Sequence, residues 1–192
     1  MSRAFAARGW KGTCVDLIRD IDPPAGFDVW IEDVLNIASV SGYDFIWASS
    51  PCEEFSVHGM AHFHPKPKYP AMGIRLFNHA RELCEASGIP YVMENVAAAQ
   101  WFVGESVHNC GSFHLWGTGV PPLMPQGIKK GLDMGRDPLT GKRTLHLGRR
   151  SSYGSKARAR DKIITATIPC ELANCVADYA EAICSTQTET VR

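Results

Sequence analysis

Residues 43–93 place a helical pattern between two short apolar runs, and this order constrains the fold more than any other feature of the chain. The runs Tyr43-Asp44-Phe45-Ile46-Trp47-Ala48 and Ile89-Pro90-Tyr91-Val92-Met93 have the composition of buried strands. Between them Leu76, Phe77, Ala80, Leu83 and Cys84 recur at helical spacing from Ile74 to Ala86, and Gly88 and Pro90 end the pattern. Two strands joined by a helical crossover run parallel, so the expected class is α/β around a parallel sheet. Gly12-Thr13-Cys14-Val15-Asp16 supplies a further strand pattern. Ligands of such sheets bind beyond the carboxyl ends of the strands. Asp16, the segment Ser49–Cys52 and the pair Glu94-Asn95 therefore fall on one edge, where chemistry is to be sought.

A chain of 192 residues is one domain's worth, and its 45% hydrophobic and 21% charged content exclude a disordered or fibrous protein. No apolar run approaches the ~18–20 residues that cross a bilayer. The opening Met1-Ser2-Arg3-Ala4-Phe5 lacks a signal-type stretch, so a cytoplasmic location is expected. The 7 cysteines are odd in number and form no C-x-x-C pair, which points to reduced thiols rather than a disulfide framework. Zero net charge hides a strong asymmetry. Residues 1–128 hold 8 basic and 13 acidic side chains, whereas residues 129–162 hold 11 basic and 3 acidic. That dense basic block fits contact with a polyanion or, equally, a solvated surface loop. Gly, Pro and aromatic residues dominate from residue 101 up to it. A closing amphipathic helix is expected from Pro169 to Cys184, with Leu172, Val176, Tyr179 and Ile183 on one face.

Two short stretches carry reactive groups. Ser49-Ser50-Pro51-Cys52-Glu53-Glu54 follows one strand, and Met93-Glu94-Asn95-Val96 ends the next. A thiol in a strand-to-loop turn beside a carboxylate on the adjacent strand end suits nucleophilic attack with a proton donor at hand. Taken singly, such a cysteine is more often a buried bystander and such a glutamate a cap; their joint placement raises the functional reading. Cys52, His58, His62 and His64 also form C-x5-H-x3-H-x-H, which matches only half of a usual zinc pattern, so no metal is expected.

The Pro-Cys loop, the Glu-Asn-Val and the Pro-containing closing helix resemble the cytosine-C5 DNA methyltransferase family, from residue 3 to about residue 184. The stretch Gly111-Ser112-Phe113-His114-Leu115-Trp116-Gly117 is similar to that of the small methylases of phages and mobile elements. The resemblance implies a Rossmann-like, S-adenosylmethionine-dependent methyltransferase sheet that modifies a cytosine flipped out of DNA. It implies that Cys52 is the nucleophile toward cytosine C6 and that Pro51 shapes its loop. Glu94 contacts N3 and the exocyclic amine, with a pKa expected to be raised by burial, and Asn95 positions the loop. Asp16 corresponds to the residue that binds the ribose of S-adenosyl-L-methionine, and Asp33 to the one that bonds the adenine amine. Arg143, Arg149 and Arg150 are candidates for the family's arginine-bearing strand motif, and with Lys156, Arg158 and Arg160 they form the expected DNA-binding set. The implied organisation is a catalytic core over 1–100, a small DNA-contacting, target-recognition region over 101–165, and a closing helix over 166–192 that returns to the core.

The chain departs from the family at its front, where the Phe-x-Gly-x-Gly loop that cradles the cofactor has no counterpart. The expectation is an N-terminally truncated sheet without one central strand, weak binding of the cofactor, and an open edge that self-associates or takes a partner chain. Two competing readings follow: a catalytically impaired, methylase-like module that binds DNA or depends on a partner, and an enzyme acting on a free cytosine nucleotide.

Overall fold

A computed structural model of the chain describes residues 1–59, 66, 68–126 and 168–190. In chain order the elements are α1 (Ser2–Ala6), β1 (Gly12–Asp16), β2 (Phe27–Ile31), β3 (Ile46–Ser49), α2 (Glu53–Gly59), α3 (Ala71–Ser87), β4 (Tyr91–Asn95), α4 (Gln100–Val103), β5 (His108–Cys110), β6 (Phe113–Trp116) and α5 (Cys170–Thr190). Short 3-10 turns cover Val34–Asn36 and Ala97–Ala99.

The fold is mixed α/β. The strand–helix–strand unit is present, with β3 parallel to β4 in the register Ile46↔Tyr91 through Ser49↔Glu94. Helix α3 forms because Phe77, Ala80, Leu83 and Cys84 make one buried stripe. It stops at Gly88, whose φ of 66° is a left-handed conformation that glycine adopts without strain. The hydroxyl of Ser87 then donates to the Cys84 carbonyl (2.7 Å) and accepts from the Ile89 N–H (3.1 Å), which turns the chain into β4.

Beyond β4 the sheet is not parallel as expected. β6 pairs antiparallel with β4, and β5 antiparallel with β6, giving the order β3-β4-β6-β5. The reason is the connection: only Gly111 and Ser112 separate β5 from β6, and a two-residue loop permits no crossover. β1 and β2 form a separate two-stranded parallel sheet, Gly12↔Phe27 through Asp16↔Ile31.

Helices cover both faces of the larger sheet, which accounts for the full burial of Tyr91, Val92 and Met93. Val92, Phe113 and Leu115 pack with Phe5 of α1 and with Leu172, Val176 and Ala180 of α5. Tyr91, Met93 and Trp116 pack on the other face with Phe55, Phe77 and Cys84. Arg8 fastens α1 to α5, donating to Asp178 Oδ1 (2.9 Å) and Asn174 Oδ1 (3.0 Å). Among the described residues no helix is long and apolar enough to cross a membrane.

Burial, reinforced by the neighbouring Glu85, pushes the Cys84 thiol up to about 11. At pH 8 its thiolate fraction is then about one part in a thousand, and the thiolate is the reactive species. Cys84 is expected to stay unmodified by a thiol reagent under native conditions while the exposed Cys170 reacts. Peptide mapping of the labelled protein, with and without denaturant, checks this.

Candidate functional site

The loop from β3 to α2 is built from its two ends. Ser49 stands beside Glu94 in the parallel register, so the last residue of β3 adjoins the carboxylate-bearing position of β4. On its other side Glu94 pairs with Leu115 of β6. One residue on, Asn95 is wholly buried, and its amide Nδ2 donates to both the carbonyl (3.1 Å) and the hydroxyl (3.1 Å) of Ser50. Its Oδ1 accepts from the Val96 N–H (2.9 Å), so the side chain is saturated. Asn95 is thereby a clamp on the residue directly before Pro51-Cys52.

Cys52, half-buried, lies where this loop becomes helix. Its carbonyl accepts the Ser56 N–H (2.8 Å), the bond that starts α2. Helix α2 is anchored by Phe55, buried completely, and by Glu54, whose Oε2 accepts from the Gly73 N–H at the start of α3 (2.8 Å). The thiol is thus carried between two fixed points, the Asn95–Ser50 clamp and the Phe55 anchor.

The structure brings Pro51, Cys52, Glu94 and Asn95 to one sheet edge. Asp16, at the carboxyl end of β1, lines a cavity of about 1380 Å³ that Trp47 and Ser49 of β3 also line. Its Oδ1 accepts from the Ile18 N–H (3.0 Å), and the residue is exposed. Asp33 does not line that cavity. Its Oδ1 accepts the Leu35 N–H (3.0 Å) and caps the 3-10 turn Val34–Asn36. Arg143, Arg149, Arg150, Lys156, Arg158 and Arg160 lie outside the described residues, as do His62 and His64. Among the described residues no group of three or more His, Cys, Asp or Glu is placed to hold a metal.

Sequence reasoning missed two features. Ser50 is the acceptor that Asn95 grips, and its only signal is the Ser49-Ser50 pair directly before Pro51. The second is an aromatic cluster behind α2: the His58 ring sits 4.8 Å from Phe102 and 5.7 Å from Trp101, both at steep angles. Trp101 and Tyr69, at 66% and 67% exposure, present its outer surface.

Asn95→Ala is expected to destabilise the fold by about 1–3 kcal/mol, because it strands two polar groups of Ser50 and opens a small void. Urea denaturation of the two proteins measures the difference.

No protein-family model, curated protein or solved structure matches the chain.

Proposed function

We propose that the chain is a DNA cytosine-5 methyltransferase built on the Rossmann-like sheet of S-adenosylmethionine-dependent enzymes. One observation carries the reading: the Ser49↔Glu94 register and the Asn95–Ser50 bonds hold Pro51-Cys52 and Glu94 at one sheet edge. This is the arrangement that attack on a flipped pyrimidine requires.

The chemistry follows from the base. Cytosine C5 is a poor nucleophile in the aromatic ring. The Cys52 thiolate adds its electron pair to C6, forming a C–S bond, while Glu94 gives a proton or a hydrogen bond to N3. The displaced ring electrons make C5 an enamine carbon. S-adenosylmethionine, when bound, supplies the electrophilic methyl group. The C5 proton is then lost to a base, and the C–S bond breaks to return the thiolate. Pro51 and Asn95 hold the loop so that the thiol faces the base.

The cavity beside β1 is consistent with a nucleoside-sized ligand. Asp16, exposed at its wall and with one carboxylate oxygen uncommitted, would hold the ribose hydroxyls. Asp33, with one oxygen engaged in its cap, would hold the adenine amine through the other.

A cytosine stacked in a duplex is out of reach of Cys52, so the base is extruded, and backbone contacts must hold the flanking DNA. We assign those contacts to the basic block. Replacing Arg149, Arg150, Lys156, Arg158 and Arg160 by Gln is expected to weaken DNA binding. It is also expected to flatten the log–log salt dependence by about 0.9 for each phosphate that is no longer neutralised. Titrations across a salt series check this, and an unchanged slope would assign the block to a solvated surface.

The test of the reading is covalent trapping. Duplex DNA with 5-fluorocytosine blocks the final proton loss, and a complex stable to denaturant is expected when the cofactor is supplied. Bisulfite sequencing of plasmid from expressing cells then locates the methylated sites. A second reading, a DNA-binding or partner-dependent module without activity, is favoured by the edges of β1 and β3, which pair with no further strand among the described residues. DNA binding without trapping selects it.

A further inference from the structure

The two sheets meet at strand edges whose hydrogen-bonding groups are directed into the same space. In β1 the Gly12 N–H donates to Gly26 (3.1 Å) and the Asp16 carbonyl accepts from Glu32 (3.2 Å), so even-numbered residues face β2. Backbone groups alternate sides along a strand, so Thr13 and Val15 direct theirs away from β2. In β3 the Ile46 N–H donates to Pro90 on the β4 side (3.0 Å), so Trp47 and Ser49 direct theirs away from β4. Thr13, Val15, Trp47 and Ser49 all line the cavity of about 1380 Å³.

Side-chain faces show how the edges are oriented. Phe45 and Trp47 of β3 pack into the cluster under α1 and α5. So does Phe27, which stands opposite Gly12 of β1, whereas Thr13 and Val15 project to the other face. In strands of L-residues, chirality ties the side to which the backbone groups point to the face the side chain takes. Cleft-facing residues on opposite faces therefore mean that β1 and β3 run in the same direction, with the cleft on opposite sides of them. One strand parallel to both would bond to each and join the two sheets into the order β2-β1-insert-β3-β4-β6-β5.

We propose that this cleft is an acceptor for an extended strand supplied by a partner polypeptide, a β-augmentation site between two edges rather than on one. The inference does not rest on the methyltransferase reading. The walls define the occupant's chemistry. Toward α1 and α5 it meets Phe5, Trp10, Phe45 and Trp47, so alternate residues are apolar. Toward the face of Val15, which is 41% exposed, the intervening residues are small and polar. Asp16, Asp28, Asp44 and Glu181 outnumber Arg8 and Lys11 around the cleft, so basic residues flank the segment. Such charge also suits a partner strand, because two unprotected parallel edges in water are otherwise sites of uncontrolled association.

The probe is an end-blocked peptide in which valine and threonine alternate between terminal lysines, added to the full chain. Expected is saturable binding with at least about tenfold slower hydrogen exchange at the Thr13, Val15, Trp47 and Ser49 amides. The same peptide with a central proline is expected not to bind. Val15→Pro removes a cleft-facing N–H while leaving the β2 ladder whole, a position where an edge strand tolerates proline. It is expected to abolish peptide binding and keep the fold's circular dichroism. Three results would overturn the proposal. Protection without peptide that grows with protein concentration makes the occupant a second copy. Protection only when the peptide is fused ahead of Met1 makes it a segment of the same polypeptide. Unchanged exchange in every arm means that the cleft accepts no strand.

Discussion

Cys52→Ser is expected to eliminate methyl transfer and to abolish the covalent complex with 5-fluorocytosine DNA. On the proposed mechanism the attacking group must be an anion at neutral pH, and a thiolate is accessible there where a serine alkoxide is hardly populated. The substitution leaves the supporting geometry in place. The bond that starts α2 is made by the Cys52 carbonyl, and the clamp on the preceding loop is made by Asn95 and Ser50. Stability should therefore change by no more than about 0.5 kcal/mol, the usual range where no buried interaction is broken. DNA affinity should be retained, because phosphate contacts carry most of it. The decisive comparison is denaturing electrophoresis of both proteins after incubation with the fluorinated duplex and the cofactor. Equal trapping would remove Cys52 from the mechanism, whereas loss of DNA binding in the variant would show that the thiol is structural.

What could be read from the sequence depends on how local each signal is. The unit from β3 through α3 to β4 was legible because its apolar runs, its helical period and its Gly88 stop each lie within a few residues. The helix at the end was also legible, but it runs past the expected Cys184 to Thr190. No Gly or Pro interrupts it, and the Ser185 and Thr186 hydroxyls turn back onto the Glu181 and Ala182 carbonyls (both 2.7 Å) instead of breaking it. β5 and β6 were not legible. His108-Asn109-Cys110 is polar and only three residues long, and what makes it a strand is the hairpin and the pairing of β6 with β4. At the site, the sequence showed the Pro-Cys and Glu-Asn pairs, but their meeting depends on a register of β3 against β4 that sequence spacing leaves open. The Asn95 clamp on Ser50 spans 45 positions of chain. Asp33 illustrates the converse: a carboxylate read as a ligand residue from resemblance also serves its own backbone as a cap.

Glu94→Gln separates the chemical step from binding, and it is expected to lower the single-turnover rate by about 10²–10⁴, the usual contribution of one positioned acid. Glutamine has the size of glutamate and its amide can still hydrogen-bond N3, but it has no proton to give as negative charge develops there during thiolate addition. The backbone of position 94 is fixed on both sides, by Ser49 of β3 and Leu115 of β6, so the side chain stays at the edge whichever of the two residues it is. The DNA dissociation constant should hold within about threefold, because the flanking phosphate contacts are made elsewhere. Trapping on 5-fluorocytosine DNA should slow in parallel with methyl transfer, since both need the addition step that Glu94 assists. Slow turnover with undiminished trapping would place Glu94 after the adduct. A single-turnover rate within about twofold of the parent would take it out of the reaction.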